Sequence, residues 1–203
     1  MVGFNRRFAP LAVRLRAELD AVEPPVLLAR VNAGALPEGH WLHDPEEGGG
    51  RLLGEGCHFV DLLGYLAAAR PLAVHAAAVP SAQRPLECSD GIVATIRFAN
   101  GCVGSLLYSG GGDPRLPKER VEAFGGGLSA VLDDFRRLEL YRGGRRALVK
   151  HRQDKGHRAE LAHFVKVVRG QSEALDVDSY LISTRATLAL AESLRTGNSV
   201  ELA

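Results

Sequence analysis

The stretch IVATIRFANGCVGSLLY, residues 92 to 108, decides the fold. Ile92, Ala94, Ile96 and Phe98 alternate with Val93, Thr95 and Arg97, the period-two pattern of a half-buried strand. Asn100-Gly101 follows, a dipeptide favoured in two-residue hairpins because both positions tolerate positive φ, and CVGSLLY returns as the partner strand. Working outward, LAVHAAAV (72–79), Val121 to Phe124, Leu138 to Tyr141 and Ala147 to Lys150 read as further strands, the last two joined at Gly143-Gly144. These make about six strands on short turns, hence a mostly antiparallel sheet, and the short apolar run Val26 to Val31 reads as a further strand.

Helices flank these strands. Pro10 sits where a first helical turn tolerates it, and Leu11, Leu15 and Leu19 recur at helical spacing until Pro24-Pro25 stops the helix. From Leu52 to Ala69, Phe59, Leu62, Leu63 and Leu66 form an apolar face, while His58, Asp61 and Tyr65 lie on another. Near the end, Leu161, Phe164, Val165 and Val168 make a stripe that stops at Gly170, and a last helix runs from about Asp178, as N-cap, to Gly197. The fold class is α+β: an open, mostly antiparallel sheet with helices packed on one face. The opening VGF reads as the end of a strand for which no earlier partner exists.

Composition narrows the function classes. In 203 residues, Lys plus Arg is 25 and Asp plus Glu is 24, so a net charge of +1 offers no broad footprint for nucleic acid or an anionic membrane. Three cysteines without a C-x-x-C suggest neither a disulfide scaffold nor a zinc ribbon. No apolar run approaches the roughly 20 residues of a membrane span, and the start lacks a signal-peptide stretch. A cytoplasmic protein with small-molecule partners, no nucleic acid and no membrane is the expectation.

Candidate chemistry centres on GEGCHFVDLLGYL, residues 54 to 66. His58 and Asp61 at i, i+3 share a helix face, and imidazole is suited to moving protons near neutral pH; the bland alternative is a histidine satisfied by its own helix neighbour. The glycines of GGGRLLGEG do not match a dinucleotide fingerprint, which needs G-x-G-x-x-G directly after a strand, and read as a flexible entry into the helix. A metal site drawing on Cys57, His40 or His43 lacks ligand spacing. His157, with Asp154 and Lys155, either lines a pocket or forms a solvated first turn. No G-x-S-x-G favours hydrolase chemistry.

Taken in order, GFNRRFAP, HWLHDPEEGGGRLLGEGCHFVD, KERVEAFGGG, LDDFRRLEL and DKGH resemble the Gfo/Idh/MocA oxidoreductases, over nearly the whole chain. That family joins an N-terminal Rossmann domain holding NAD or NADP to a C-terminal α+β domain that binds substrate and often forms the oligomer interface. The resemblance covers the second half, with residues 1–24 as a remnant of the last Rossmann strand and connecting helix, and 25–203 as the substrate-binding and oligomerisation domain. The family's D-x-G-x-H-x-x-D element aligns with Gly54, Gly56, His58 and Asp61. It implies His58 as general acid/base and Asp61 as a ligand of a substrate hydroxyl. Gly54 stands where the first aspartate belongs, and Glu55 is the adjacent carboxylate, rotated by about 100° on a regular helix. Asn32 and His157 align with substrate-facing regions and Arg6 with a cofactor-facing one.

The resemblance implies the substrate-binding half of an NAD(P)-dependent oxidoreductase acting on a sugar, sugar-nucleotide or cyclitol-like alcohol, inactive without the nucleotide-binding domain. It also implies a homo-oligomer formed through the sheet face. The alternative is a non-catalytic oligomerisation or interaction module of the same descent. A stand-alone sugar-binding protein ranks third.

Overall fold

The structure is a computed structural model that describes residues 1–37, 39–82 and 84–202. Its strands are β1 (Val26–Asn32), β2 (Pro71–Ala78), β3 (Gly91–Phe98), β4 (Val103–Ser109), β5 (Glu119–Gly125), β6 (Leu128–Asp133), β7 (Arg137–Arg142), β8 (Arg145–Lys150) and β9 (Val200–Glu201). They form one open sheet in the order β8-β7-β6-β5-β1-β4-β3-β2-β9. Only β1 and β4 pair in parallel; the other neighbours are antiparallel. A parallel pair needs a long crossover, here supplied by everything between Asn32 and Val103.

The helices are α1 (Pro10–Leu19), α2 (Cys57–Ala67), α3 (His157–Val168) and α4 (Val177–Thr196). Three of them cover one sheet face: α1 lies over β6 and β7, α2 over β1 and β4, and α4 over β2. Burial follows the alternation. Ile92, Ala94, Ile96 and Phe98 are buried under the helices, whereas Val93 is exposed on the other face. Val103, Leu107, Phe124 and Tyr141 also stand on that open face, uncovered. Leu11, Leu15 and Leu19 of α1 belong to the same core as the strands.

Five local expectations are revised. The hairpin between β3 and β4 closes through a three-residue loop: the Gly101 amide donates to the Phe98 carbonyl at 3.0 Å and the Phe98 amide to Cys102 at 2.9 Å. Only Gly101 there has positive φ, +89°. Asn100 spends its side chain instead, donating to the Ala67 carbonyl at 2.9 Å and accepting from the Cys102 amide at 3.1 Å. Residues 1–4 form no strand; Phe4 is buried and packs on His58 and Tyr180. The cap of α4 is Asp176, which accepts from the Asp178 amide at 3.1 Å, leaving Asp178 to complement the positive helix end. β6 and β9 add to the strands read from the sequence.

The fifth concerns α3. Its apolar stripe is not core: Leu161 is 60% and Val168 70% exposed, and the helix buries Glu160 instead. Its main packing partner is the short 3-10 turn Asn5–Phe8, not the sheet.

Candidate functional site

Two consecutive arginines in the turn Asn5–Phe8 organise the site. Arg6 turns toward the sheet, where Nε and Nη2 donate to both carboxylate oxygens of Glu119 at 2.8 and 3.0 Å, and its guanidinium lies 4.4 Å from the Phe59 ring centroid. Such a two-pronged pair is strong and directional. Lys155 Nζ adds a third donor to Glu119 at 2.6 Å. Burial alone would raise the Glu119 carboxyl, but Arg6 and Lys155 outweigh it and hold it below the usual range.

Lys155 reaches this place because of Gly156. A Cβ there would run into the Asn5 carbonyl and the Ala9 amide, and its φ of +91° suits glycine. The loop therefore lies flat on the arginine turn, with Asn5 Nδ2 donating to the Lys155 carbonyl at 2.7 Å. The next residue, His157, opens α3 exposed to solvent and close enough for its charge to depress that of His58.

Glu55 comes from a π-helical segment, Leu52–Gly56, that runs without a break into α2. A π turn takes up an extra residue and re-aims side chains around it. The result brings Glu55 into the cluster: it accepts from Lys118 Nζ at 2.6 Å and from the Tyr108 hydroxyl at 2.5 Å, with Arg6 Nη2 at 3.6 Å. Burial pushes its pKa up, but Lys118, Tyr108 and Arg6 together win and hold it below the usual range. The regular-helix geometry on which the expected rotation rests therefore does not hold at Glu55.

His58 follows on the first turn of α2. Its ring packs edge-on against Phe4, centroids 5.7 Å apart, and its Nδ1 is buried with no hydrogen-bond partner. Burial first, then Arg6, pushes its pKa down to about 4, against smaller upward pulls from Glu55 and Glu119. The imidazole is therefore neutral at pH 7 and able to accept a proton.

Asp61 lies one turn further on, fully buried. Both its oxygens are engaged by Arg7, and Ser183 of α4 donates to Oδ1 at 3.0 Å. Burial dominates its pKa, which is raised despite Arg7. With no exposed surface, Asp61 meets no hydroxyl from outside unless Arg7 leaves, and Arg6 is likewise committed to Glu119. Asn32, at the end of β1, donates to the carbonyls of Asp113 at 2.7 Å and Leu116 at 3.2 Å, shaping the loop between β4 and β5.

The cluster thus gathers at the carboxyl ends of β1 and β4 and the start of β5. It unites the expected Arg6, Glu55, His58 and His157 with three residues whose roles were not anticipated, Tyr108, Lys118 and Glu119. Above it, Arg51, only 3% exposed, latches the loops: Nε donates to Asp90 at 3.1 Å, Nη2 to the Gly34 carbonyl at 2.5 Å, and Nη1 to the Tyr108 hydroxyl at 3.5 Å. Arg84 and His43 complete the Asp90 knot at 2.7 and 3.3 Å. The glycines 48–50 serve packing here. A Cβ at Gly48 would collide with Trp41 and Leu42, and one at Gly50 with the Cys88 backbone. Among the described residues no three His, Cys, Asp or Glu side chains are grouped to hold a metal ion, and no helix is long and apolar enough to cross a membrane.

Residues 23–127, just over half the chain, match the model of the GFO/IDH/MocA C-terminal domain. No curated protein matches significantly. Among solved structures, aldose-aldose oxidoreductase from Caulobacter crescentus superposes with a TM-score of 0.83 at 19% identity, covering 100% of this chain and 63% of that one. UDP-N-acetylglucosamine 3-dehydrogenase GnnA from Acidithiobacillus ferrooxidans gives 0.78 at 21%, covering 95% and 60%. GenD2 from gentamicin A biosynthesis, solved in complex with NAD, gives 0.76 at 22%, covering 99% and 63%. The chain spans about three-fifths of the length of these structures. At these identities the likeness establishes the fold, and the family model adds descent: the chain belongs to the GFO/IDH/MocA family and carries its C-terminal domain.

Proposed function

We propose that this chain supplies the substrate side of an NAD(P)-dependent oxidoreductase acting on a sugar, sugar-nucleotide or cyclitol-like alcohol, and that it is inactive until a nucleotide-binding domain completes the site. The observation that carries this reading is a neutral His58 whose buried Nδ1 has no partner, set beside a ring of charged hydrogen-bonding groups. Nicotinamide, held by the other domain, would take up hydride from the alcohol carbon.

The residues of this chain do the rest. His58 accepts the hydroxyl proton; Glu55 and Lys118, each partly exposed, and the exposed His157 orient neighbouring hydroxyls. Glu119, through Arg6 and Lys155, fixes the geometry, and Asp61 does the same for α2 through Arg7. Asn32 holds the loop that borders the site. An oriented general base contributes about 10²–10⁴-fold to such a step.

The test is a titration of the chain with aldoses, UDP-sugars and inositols, followed by the NMR signals of the His58 ring. At least one class is expected to shift them, with the response lost in Glu55→Ala. A panel that leaves His58 untouched overturns the proposal.

A second reading rests on the open sheet face, where Val93, Val103, Leu107 and Phe124 stand uncovered. Such a surface suits pairing with another copy, as a homo-oligomer of the enzyme or as a purely interacting module. Sedimentation separates a dimer from a monomer, and Leu107→Glu should dissolve the dimer.

A further inference from the structure

We propose that the chain carries a second ligand pocket, enclosed by α2, α4 and the β2–β3 edge, that takes a small monocarboxylic acid with an apolar body. The pocket is a cavity of about 280 Å³ walled by Val60, Ile96, Phe98, Ile182 and Ala186. A dry cavity of about 150 Å³ is enough for benzene, so this one admits a ring with a short side chain. Arg7, the partner of Asp61, forms part of its wall, whereas Glu55, His58, Tyr108, Lys118 and Glu119 do not line it.

Its polar groups define the class of ligand. Arg70 stands at the mouth, and an adjoining hollow of about 190 Å³ shares Arg70, Pro71 and Ile182 and adds Arg185. Both arginines are exposed, and neither guanidinium has an ion-pair or hydrogen-bond partner among the described residues. Guanidinium groups pair with carboxylates through two parallel hydrogen bonds. Asp178 faces the same hollow. Two cations against one carboxylate leave the mouth one positive charge in excess, matched by a monoanion better than by a phosphate dianion. Tyr65 also lines the cavity; its hydroxyl has no hydrogen-bond partner among the described residues, and burial raises its pKa further, so it is a neutral donor.

Calorimetry of the intact chain with 3-phenylpropionate, 3-phenylpropanol and inorganic phosphate tests this. The acid is expected to bind about tenfold or more tighter than either control, which lack the charge and the apolar body respectively. Gly64→Met fills the cavity: a Cβ there meets only the Phe98 ring, at 4.0 Å, and methionine favours the helix over glycine. This variant should melt no lower than the parent and lose the acid. If it fails to fold, Arg70→Ala/Arg185→Ala decides, with about a tenfold loss expected. Equal binding of acid and alcohol, binding indifferent to these variants, or no binding of the acid overturns the proposal.

Discussion

Arg6 and Arg7 are adjacent in sequence, the first buried and the second half-buried, and both are bound to carboxylates through the same fork of hydrogen bonds. Their surroundings differ. Arg7 closes a unit in which Asp61 has no exposed surface and also accepts from Ser183, and this unit ties α2 to α4. Arg6 sits in an open network where Glu119, Lys155, Glu55 and Lys118 link in series and border the unpaired nitrogen of His58. The closed pair maintains the scaffold, and the open network has spare hydrogen-bonding capacity for a ligand. Of the two carboxylates three residues from His58, Asp61 is taken up by Arg7 and Ser183, while Glu55 of the π turn joins Glu119 of β5 in the open network.

The sharpest way to break this contrast is Asp61→Ala. It strands Arg7 in the interior, and unfolding in guanidinium chloride should show a loss of about 3–5 kcal/mol; a loss below about 1 kcal/mol would put Asp61 outside the scaffold. Glu119→Ala should cost less, about 2–3 kcal/mol, because Arg6 keeps Glu55 within 3.6 Å and Lys155 can turn to water.

A third prediction concerns acid. The ordinary imidazole value of 6.5 falls to about 4 in the folded chain, so the unfolded chain takes up this proton first. The His58 contribution to stability is complete above about pH 6.5, declines as the pH drops toward 4, and is constant below. His58→Gln should flatten that portion of the stability curve; an unchanged slope would mean the ring is not desolvated as described. The smallest effect is expected of Tyr108→Phe, which removes the hydrogen bond to Glu55 and should cost about 1 kcal/mol, detectable in the same unfolding curves.

Much of the architecture was legible because alternation and helical spacing are local signals. The β3–β4 hairpin, the buried face of α2 and the stop at Gly197 each follow from a few adjacent residues. β6 carries a clear alternation too, with Leu128, Ala130 and Leu132 buried, but it is only six residues long and follows directly on the Gly125–Gly127 run, which looks like a loop. The exposure of the α3 stripe was not legible, since periodicity reports a face without saying what lies opposite it. In the site, His58 and Glu55 stand out by residue type. Glu119 does not, because its importance comes from pairing with Arg6 across more than a hundred residues, and the role of Lys155 comes in turn from its bond to Glu119. The engagement of Asp61 was hidden for the same reason: Arg7 and Ser183 reach it from distant segments.

The π turn at Leu52–Gly56 has a consequence for how this stretch is compared with others. Because the widened turn swallows one residue and then releases the chain into an ordinary helix, counting positions backward from His58 gives the wrong compass bearing for whatever precedes it. The direction in which Glu55 looks is therefore set by the widened turn, and not by its count of residues from His58.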